Sequence, residues 1–201
     1  MASRRTAQRE MTRRLLLDAA MERFVASGYA ATTIDEIASA AGTTRVTFYA
    51  YFPSKSEIVK ALIAERLDGE LARAPEGCTT ALALIDAVAH GTREHLGAWI
   101  RDVAAHWPTV QPIIKICRAA QAIDPDLCAG IDTWIEQAID DISAGLAKAG
   151  RFEAESRHFR GALAMGQFDY VFQRWTDGMW GVDQERMCEL LTHSWFQLLG
   201  E

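Results

Sequence analysis

The strongest constraint on the fold lies between Thr33 and Phe52. Two short apolar-periodic segments are separated there by a single glycine. Ile34, Ile37, Ala38 and Ala41 share one face of a helix expected over about Thr33 to Ala41. Gly42 breaks it, since glycine alone takes a left-handed turn conformation at no steric cost. A second short helix is expected over about 44–52. Thr43 or Thr44 would cap it, and Phe48 and Phe52, one turn apart, would pack it inward. A short helix, a tight turn and a second short helix make a helix-turn-helix, whose second helix enters the DNA major groove. The outward residues near its start are Thr44, Arg45, Val46 and Thr47. Arginine pairs bidentately with guanine O6/N7, valine touches a thymine methyl, and threonine hydroxyls reach bases or phosphates. Thr33, Tyr49, Tyr51 and Lys55 flank this helix with hydroxyls and a cation suited to phosphate oxygens.

The rest of the chain also reads as helix, with no sustained β-branched alternation, so the fold class expected is all-α. Thr12 is a candidate cap for a helix through Leu15, Leu16, Ala19, Ala20 and Phe24, stopped at Ser27-Gly28. Ser54 and Glu57 form a capping box for a fourth helix through Ile58, Leu62, Ile63 and Leu67 to about Leu71. Ala74-Pro75-Glu76-Gly77 is a plausible boundary. Longer helices are expected at about 79–105, 109–122, 125–149, 154–177 and 183–199, separated at Trp107-Pro108, Asp124-Pro125, Gly150-Arg151 and Gly178–Gly181. This divides the chain into a basic flexible arm (1–11), a helix-turn-helix domain (12–56) and a larger helical domain (57–201).

Charge supports two tasks in one chain. Residues 1–60 hold nine Lys/Arg against six Asp/Glu, a balance of +3, whereas residues 61–201 hold twelve against twenty-one, −9, giving the net −6. Arg4, Arg5, Arg9, Arg13 and Arg14 crowd the start, where a polyanion would draw them. Cys78, Cys117, Cys128 and Cys188 form no CxxC pair and read as free thiols. His90, His95, His106, His158 and His193 have no metal-ligand spacing, so neither metal nor cofactor is expected. No apolar run reaches the ~20 residues of a membrane span, and no signal segment opens the chain. The expected location is the cytoplasm.

The stretch from Thr12 to Leu62 resembles the N-terminal domain of the TetR family of bacterial regulators. The residues that carry the resemblance are Ala19-Ala20, Phe24, Gly28-Tyr29, Thr32-Thr33-Ile34, Ile37-Ala38, Ala41-Gly42, Thr47-Phe48-Tyr49, Tyr51-Phe52 and Ser54-Lys55. Thr43 and Val46 depart mildly from the pattern. The resemblance implies a homodimer on an inverted-repeat operator of double-stranded DNA, a C-terminal domain holding a small-molecule pocket and the dimer interface, and a repressor released by its effector. A TetR-type activator, an effector-independent DNA-binding protein and an all-α enzyme are the alternatives. Against an enzyme, the chain has no GxSxG, P-loop, dinucleotide loop or paired-carboxylate motif.

The second half is less explicit. All six tryptophans lie after residue 98, and large aromatics with a few polar groups such as Gln167, His106 and Gln121 suit a mostly apolar ligand pocket. From His158 to Gly200, with Leu191-Thr192-His193-Ser194-Trp195 as landmark, the chain is similar to the ethionamide-resistance repressor group, as is the stretch Phe48 to Lys55. That resemblance implies a long apolar channel, with Trp99, Val103, Trp134, Gln167, Val171, Phe172 and Trp195 as candidate lining; Trp107 and Phe168 join them as neighbouring aromatics. It also places Leu163, Tyr170 and Val171 on one helix and Met187, Leu190, Leu191, Ser194 and Leu198 on another at the dimer interface.

Overall fold

The computed structural model describes residues 4–65, 80–121, 123, 124, 127, 129–178 and 180–200. Nine helices, and no strand, occur among them: α1 Arg4–Ala31, α2 Ile34–Ala40, α3 Arg45–Tyr51, α4 Lys55–Ile63, α5 Thr80–His90, α6 Arg93–Gln121, α7 Ala129–Lys148, α8 Ala154–Thr176 and α9 Gln184–Leu199. None of these helices is long and apolar enough to cross a membrane. The expected boundary at Ala74–Gly77, the end of the fourth helix at Leu67–Leu71, the separator at Pro125, Cys78 and Cys128 lie outside the described residues.

The chain divides into two compact units. One comprises Met1–Asp68 and Pro112–Gly130, the other Gly69–Gln111 and Ile131–Glu201. The first unit therefore runs past the boundary expected at residue 56. The reason is α4, which packs on α1 and buries Ile58, Val59, Leu62 and Ile63.

In the first unit, α1 packs on α2 and α4, and α2 on α3. The core is Leu16, Leu17, Ala20, Phe24, Ile37, Ala38, Phe48, Phe52 and Ile58, each at most 4% exposed. The described part of the stretch expected as an arm is helical from Arg4 and continuous with α1. Thr12 is not a cap but sits inside α1, its hydroxyl donating to the Gln8 carbonyl at 3.0 Å. Alanine, arginine, glutamine and glutamate all favour helix, and lengthening an existing helix avoids a new nucleation cost. The regular helix stops at Ser27-Gly28 as expected, with Gly28 non-helical at φ 79°, ψ 159°, and a short further turn carries α1 to Ala31. The Thr32 hydroxyl closes the last turn by donating to the Gly28 and Arg23 carbonyls at 2.8 and 3.2 Å.

In the second unit the expected break at Trp107-Pro108 is also corrected. The helix α6 runs unbroken through Pro108 and Pro112. Proline in a helix costs about 3 kcal/mol; burial of Ile100, Ala104 and Trp107 along the same helix offsets it. The break falls instead inside the expected helix 79–105, at Gly91, whose φ is 64°. A Cβ there would run into the Arg151 guanidinium. That guanidinium is buried and donates to the Leu199, Val88 and Ala89 carbonyls, tying the ends of α5 and α9 to the loop before α8. Two further glycines permit close helix approach. A Cβ on Gly145 would lie 2.7 Å from the Ile85 carbonyl oxygen, and one on Gly161 2.8 Å from that of Ile139.

Candidate nucleic-acid interface and aromatic cluster

Short-range chemistry builds the helix-turn-helix. Thr33 caps α2 in a reciprocal box: the Glu36 N–H donates to the Thr33 hydroxyl at 3.2 Å, and the Thr33 N–H to the Glu36 carboxylate at 2.7 Å. The Thr33 backbone N–H first, then the Thr33 hydroxyl donating to the same carboxylate at 2.8 Å, hold the Glu36 carboxyl below its usual pKa. The turn follows at Gly42, φ 65°, where the Thr43 N–H donates to the Ala38 carbonyl at 2.8 Å, an α-helix terminus closed by a left-handed glycine. Thr44 then caps α3, accepting from the Thr47 N–H at 3.2 Å.

This cap sets the rotation of α3. Phe48 is 0% and Phe52 4% exposed, whereas Val46 is 81% exposed. Thr44, Arg45 and Tyr49 are exposed beside it and Thr47 is half-buried. Arg45 is held in place: its guanidinium pairs with Asp35 on α2 at 2.8 Å and lies 3.4 Å from the Tyr49 hydroxyl. The Tyr49 hydroxyl first, then Asp35, raise the pKa of that guanidinium above its ordinary value.

The flanking residues divide. Arg9 lies over the Tyr51 ring at 5.9 Å and Arg13 over Phe52 at 5.7 Å, with Arg13 also paired to Glu65 at 3.2 Å. The N-terminal arginines are thereby carried on a helix beside α3. Lys55 differs from the other cations. It is half-buried, and its ammonium donates to the Tyr29 and Thr32 carbonyls at 2.7 and 2.9 Å under the Tyr29 ring, 4.3 Å from the centroid. Burial pushes its pKa down. Thr33 is exposed, its hydroxyl bonded to Glu36. Composition carried no signal for the Arg45–Asp35 pair or for the inward turn of Lys55; the ten-residue spacing of Asp35 and Arg45 across the turn is the one available clue to the pair.

In the second unit an aromatic cluster joins α6, α8 and α9. Trp99 stacks on Trp195 at 5.5 Å, Phe168 on Phe172 at 4.2 Å, and Trp107 stands edge-on to Phe172 at 5.0 Å and to Phe168 at 5.8 Å. Four of the expected pocket residues, Trp107, Phe168, Phe172 and Trp195, are at most 2% exposed. Val103, Trp134, Gln167 and Val171 are half-buried, and the Gln167 amide oxygen accepts from the Ser194 hydroxyl at 3.0 Å. His106 is exposed, bonded to the Asp102 carbonyl at 2.8 Å. Cys117 and Cys188 are buried; burial first, then Glu185, pushes the Cys188 thiol up.

The residues expected at a dimer interface fall on two sides of their helices. Leu163, Tyr170 and Leu190 are 43%, 58% and 51% exposed, whereas Met187 and Leu191 are at most 4% exposed and belong to the core of the unit. Ser194 and Leu198 are half-buried. Phe159 on α8 is 65% exposed, one turn before Leu163, and sequence reading missed it.

Residues 16–62 match the family model described as bacterial regulatory proteins, tetR family. Over 66 residues the chain is 44% identical to the HTH-type transcriptional regulator SrpR of Pseudomonas putida, a match covering 33% of this chain and 31% of SrpR. The chain thus spans about a third of the length of that curated relative. Among solved structures, the chain is similar to SmeT in its complex with triclosan, with a TM-score of 0.70 at 20% identity over 94% of this chain and 92% of SmeT. It is also similar to NalD, the secondary repressor of the MexAB-OprM multidrug efflux pump in Pseudomonas aeruginosa, with a TM-score of 0.68 at 19% identity over 96% of this chain and 98% of NalD. These likenesses establish an all-α fold with an N-terminal helix-turn-helix and a larger C-terminal helical domain.

Proposed function

We propose that this chain, which belongs to the TetR family of DNA-binding transcription regulators, is a repressor that binds an inverted-repeat operator as a homodimer and leaves it when a small, mostly apolar effector enters the second unit. The observation that carries the DNA part is Val46. An aliphatic side chain 81% exposed at the start of a capped helix is left unexplained by packing and fits contact with a thymine methyl in the major groove. Arg45 beside it reads a guanine. Thr33, Thr44, Thr47, Tyr49 and Tyr51 contact phosphates or base edges, and the arginines of α1 add sequence-independent attraction. Lys55 supports α1 from within the unit.

The homodimer rests on the exposed apolar face of α8 and α9, Phe159, Leu163, Tyr170 and Leu190, which a soluble monomer would leave in water. A two-fold axis through that face gives two recognition helices and a palindromic site. The effector site rests on the aromatic cluster of α6, α8 and α9, a mostly apolar lining with few polar groups. The likeness to NalD and to SmeT with triclosan supports both the repressor role and a small-molecule effector.

The test is binding of the purified chain to the DNA upstream of its own gene. Affinity should fall steeply with salt as phosphate contacts release counterions, and apolar compounds that quench tryptophan fluorescence should release the DNA. Affinity that is flat between low and moderate salt would sink the electrostatic account. Binding that survives a broad panel of quenching compounds would make the chain a constitutive regulator.

A further inference from the structure

The aromatic cluster holds polar atoms that its own packing does not use. Among the described residues, the indole N–H groups of Trp99, Trp107 and Trp195 and the amide nitrogen of Gln111 are buried with no hydrogen-bond partner. Trp107 is 2% and Trp195 0% exposed, so bulk water does not serve them. The rings belong to one group: Trp99 stacks on Trp195, both lie within 6.3 Å of Phe168, and Trp107 is 5.8 Å from the same ring. Gln111 stands one turn after Trp107 on α6, on the same helix face. The unit satisfies an indole elsewhere: Trp175 donates to the Val182 carbonyl at 2.9 Å.

Buried indole N–H groups nearly always find a partner. A core that needed only bulk would fill these positions with phenylalanine at no such cost. Three orphaned indoles from two helices, with an orphaned amide one turn away, therefore call for an acceptor that the described residues do not provide. Every one of these groups donates, and an indole N–H accepts nothing. All are uncharged, so the complement is a neutral acceptor, since a carboxylate buried among neutral donors would lose more hydration than it regained.

We infer that the effector is an apolar, ring-bearing molecule with neutral oxygen acceptors, a ketone, quinone, ester or sulfone rather than a hydrocarbon, an acid or an amine, and that Trp107 and Trp195, with Trp99 and Gln111, donate to those oxygens. This rests on the effector-site reading above and specifies its chemistry.

The experiment compares matched pairs on the full chain, 9-fluorenone against fluorene and benzophenone against diphenylmethane. Binding is followed by tryptophan quenching and by the indole N–H signals of the 15N-labelled protein. The ketones should bind about tenfold more tightly, equivalent to about 1.4 kcal/mol, and should move the Trp107 and Trp195 indole signals downfield. Trp107→Phe and Trp195→Phe should erase much of that preference while still binding the hydrocarbons. If a variant fails to fold, the indole shifts of the unaltered chain decide alone. Equal affinity for ketone and hydrocarbon, with indole signals unmoved, overturns the acceptor inference and leaves the effector site standing. A panel in which no compound of either kind binds overturns both.

Discussion

Lys55 offers a test that separates two ways in which a lysine can serve DNA binding. Lys55→Met keeps most of the aliphatic stem and removes the ammonium. In the folded chain that ammonium donates to the Tyr29 and Thr32 carbonyls at 2.7 and 2.9 Å and faces the Tyr29 ring. A hydrogen bond to a charged group contributes about 1.5–3 kcal/mol net. Two such bonds set an upper range of about 3–6 kcal/mol. Desolvation works against the charged form, as the lowered pKa records, and the side chain is only half-buried, so solvent screens part of the gain. The net loss expected is about 2–3 kcal/mol, enough to lower the melting temperature of a chain this size by roughly 5–10 °C.

The assay pairs urea or thermal melts by far-UV circular dichroism with DNA titrations at several salt concentrations. Lys55→Met should lose stability and leave the salt slope of DNA binding unchanged, because no phosphate contact goes with it. A lysine on a phosphate would do the reverse: stability would hold and the slope of log K against log salt would fall by about 0.9. That second pattern refutes the assignment of Lys55 to the support of α1.

Three further predictions follow from the same geometry. Arg45→Ala should relax base preference at one position per half-site and weaken operator binding about tenfold or more, whereas Asp35→Asn, which frees the Arg45 guanidinium from its partner, should strengthen binding to random DNA more than to operator; competition titrations read both, and a uniform change across sequences would make Arg45 a phosphate contact. The Glu36 carboxyl is held below its ordinary 4.5, so its contribution to stability is present above that value and is lost as pH falls through the lowered one; melts at neutral and acid pH should show the unaltered chain and Glu36→Gln converging as pH falls, and a gap that stays constant would deny the capping box any charge dependence. Arg151→Met should cost about 3–5 kcal/mol in urea unfolding, because it strands the buried Val88 and Leu199 carbonyls and the half-buried one of Ala89; a loss below about 1 kcal/mol would mean that water replaces the guanidinium.

What could be read from the sequence was whatever is decided within a few residues. The left-handed turn at Gly42, the Thr44 cap and the Ser54 cap each depend on neighbours one turn away, and all three hold in the folded chain. Once they hold, the exposure of Val46 beside buried Phe48 follows from helical geometry. Readings that failed depended on partners far along the chain. Pro108 carries a local instruction to break, yet α6 continues because burial along the helix outweighs one missing N–H. Gly91 carries a weak local signal, yet it ends a helix in the left-handed conformation, φ 64°, and Arg151, sixty residues on, occupies the space a side chain there would need.

The same division explains why the two halves differ in how far their function can be read. Leu190 and Leu191 are adjacent leucines, and periodicity admits both to an apolar face, but only packing decides that Leu191 is 4% and Leu190 51% exposed. Lys55 is one of three positive charges after residue 23 in the first sixty residues, and composition assigns all three to a polyanion; only the Tyr29 and Thr32 carbonyls reveal that one of them faces inward. A recognition helix reads DNA with residues that point away from everything else in the chain, so its chemistry survives in the local sequence. An effector site reads its ligand with residues gathered from helices far apart in sequence, and its chemistry becomes visible when the assembled cluster shows which donors the protein has left unmatched.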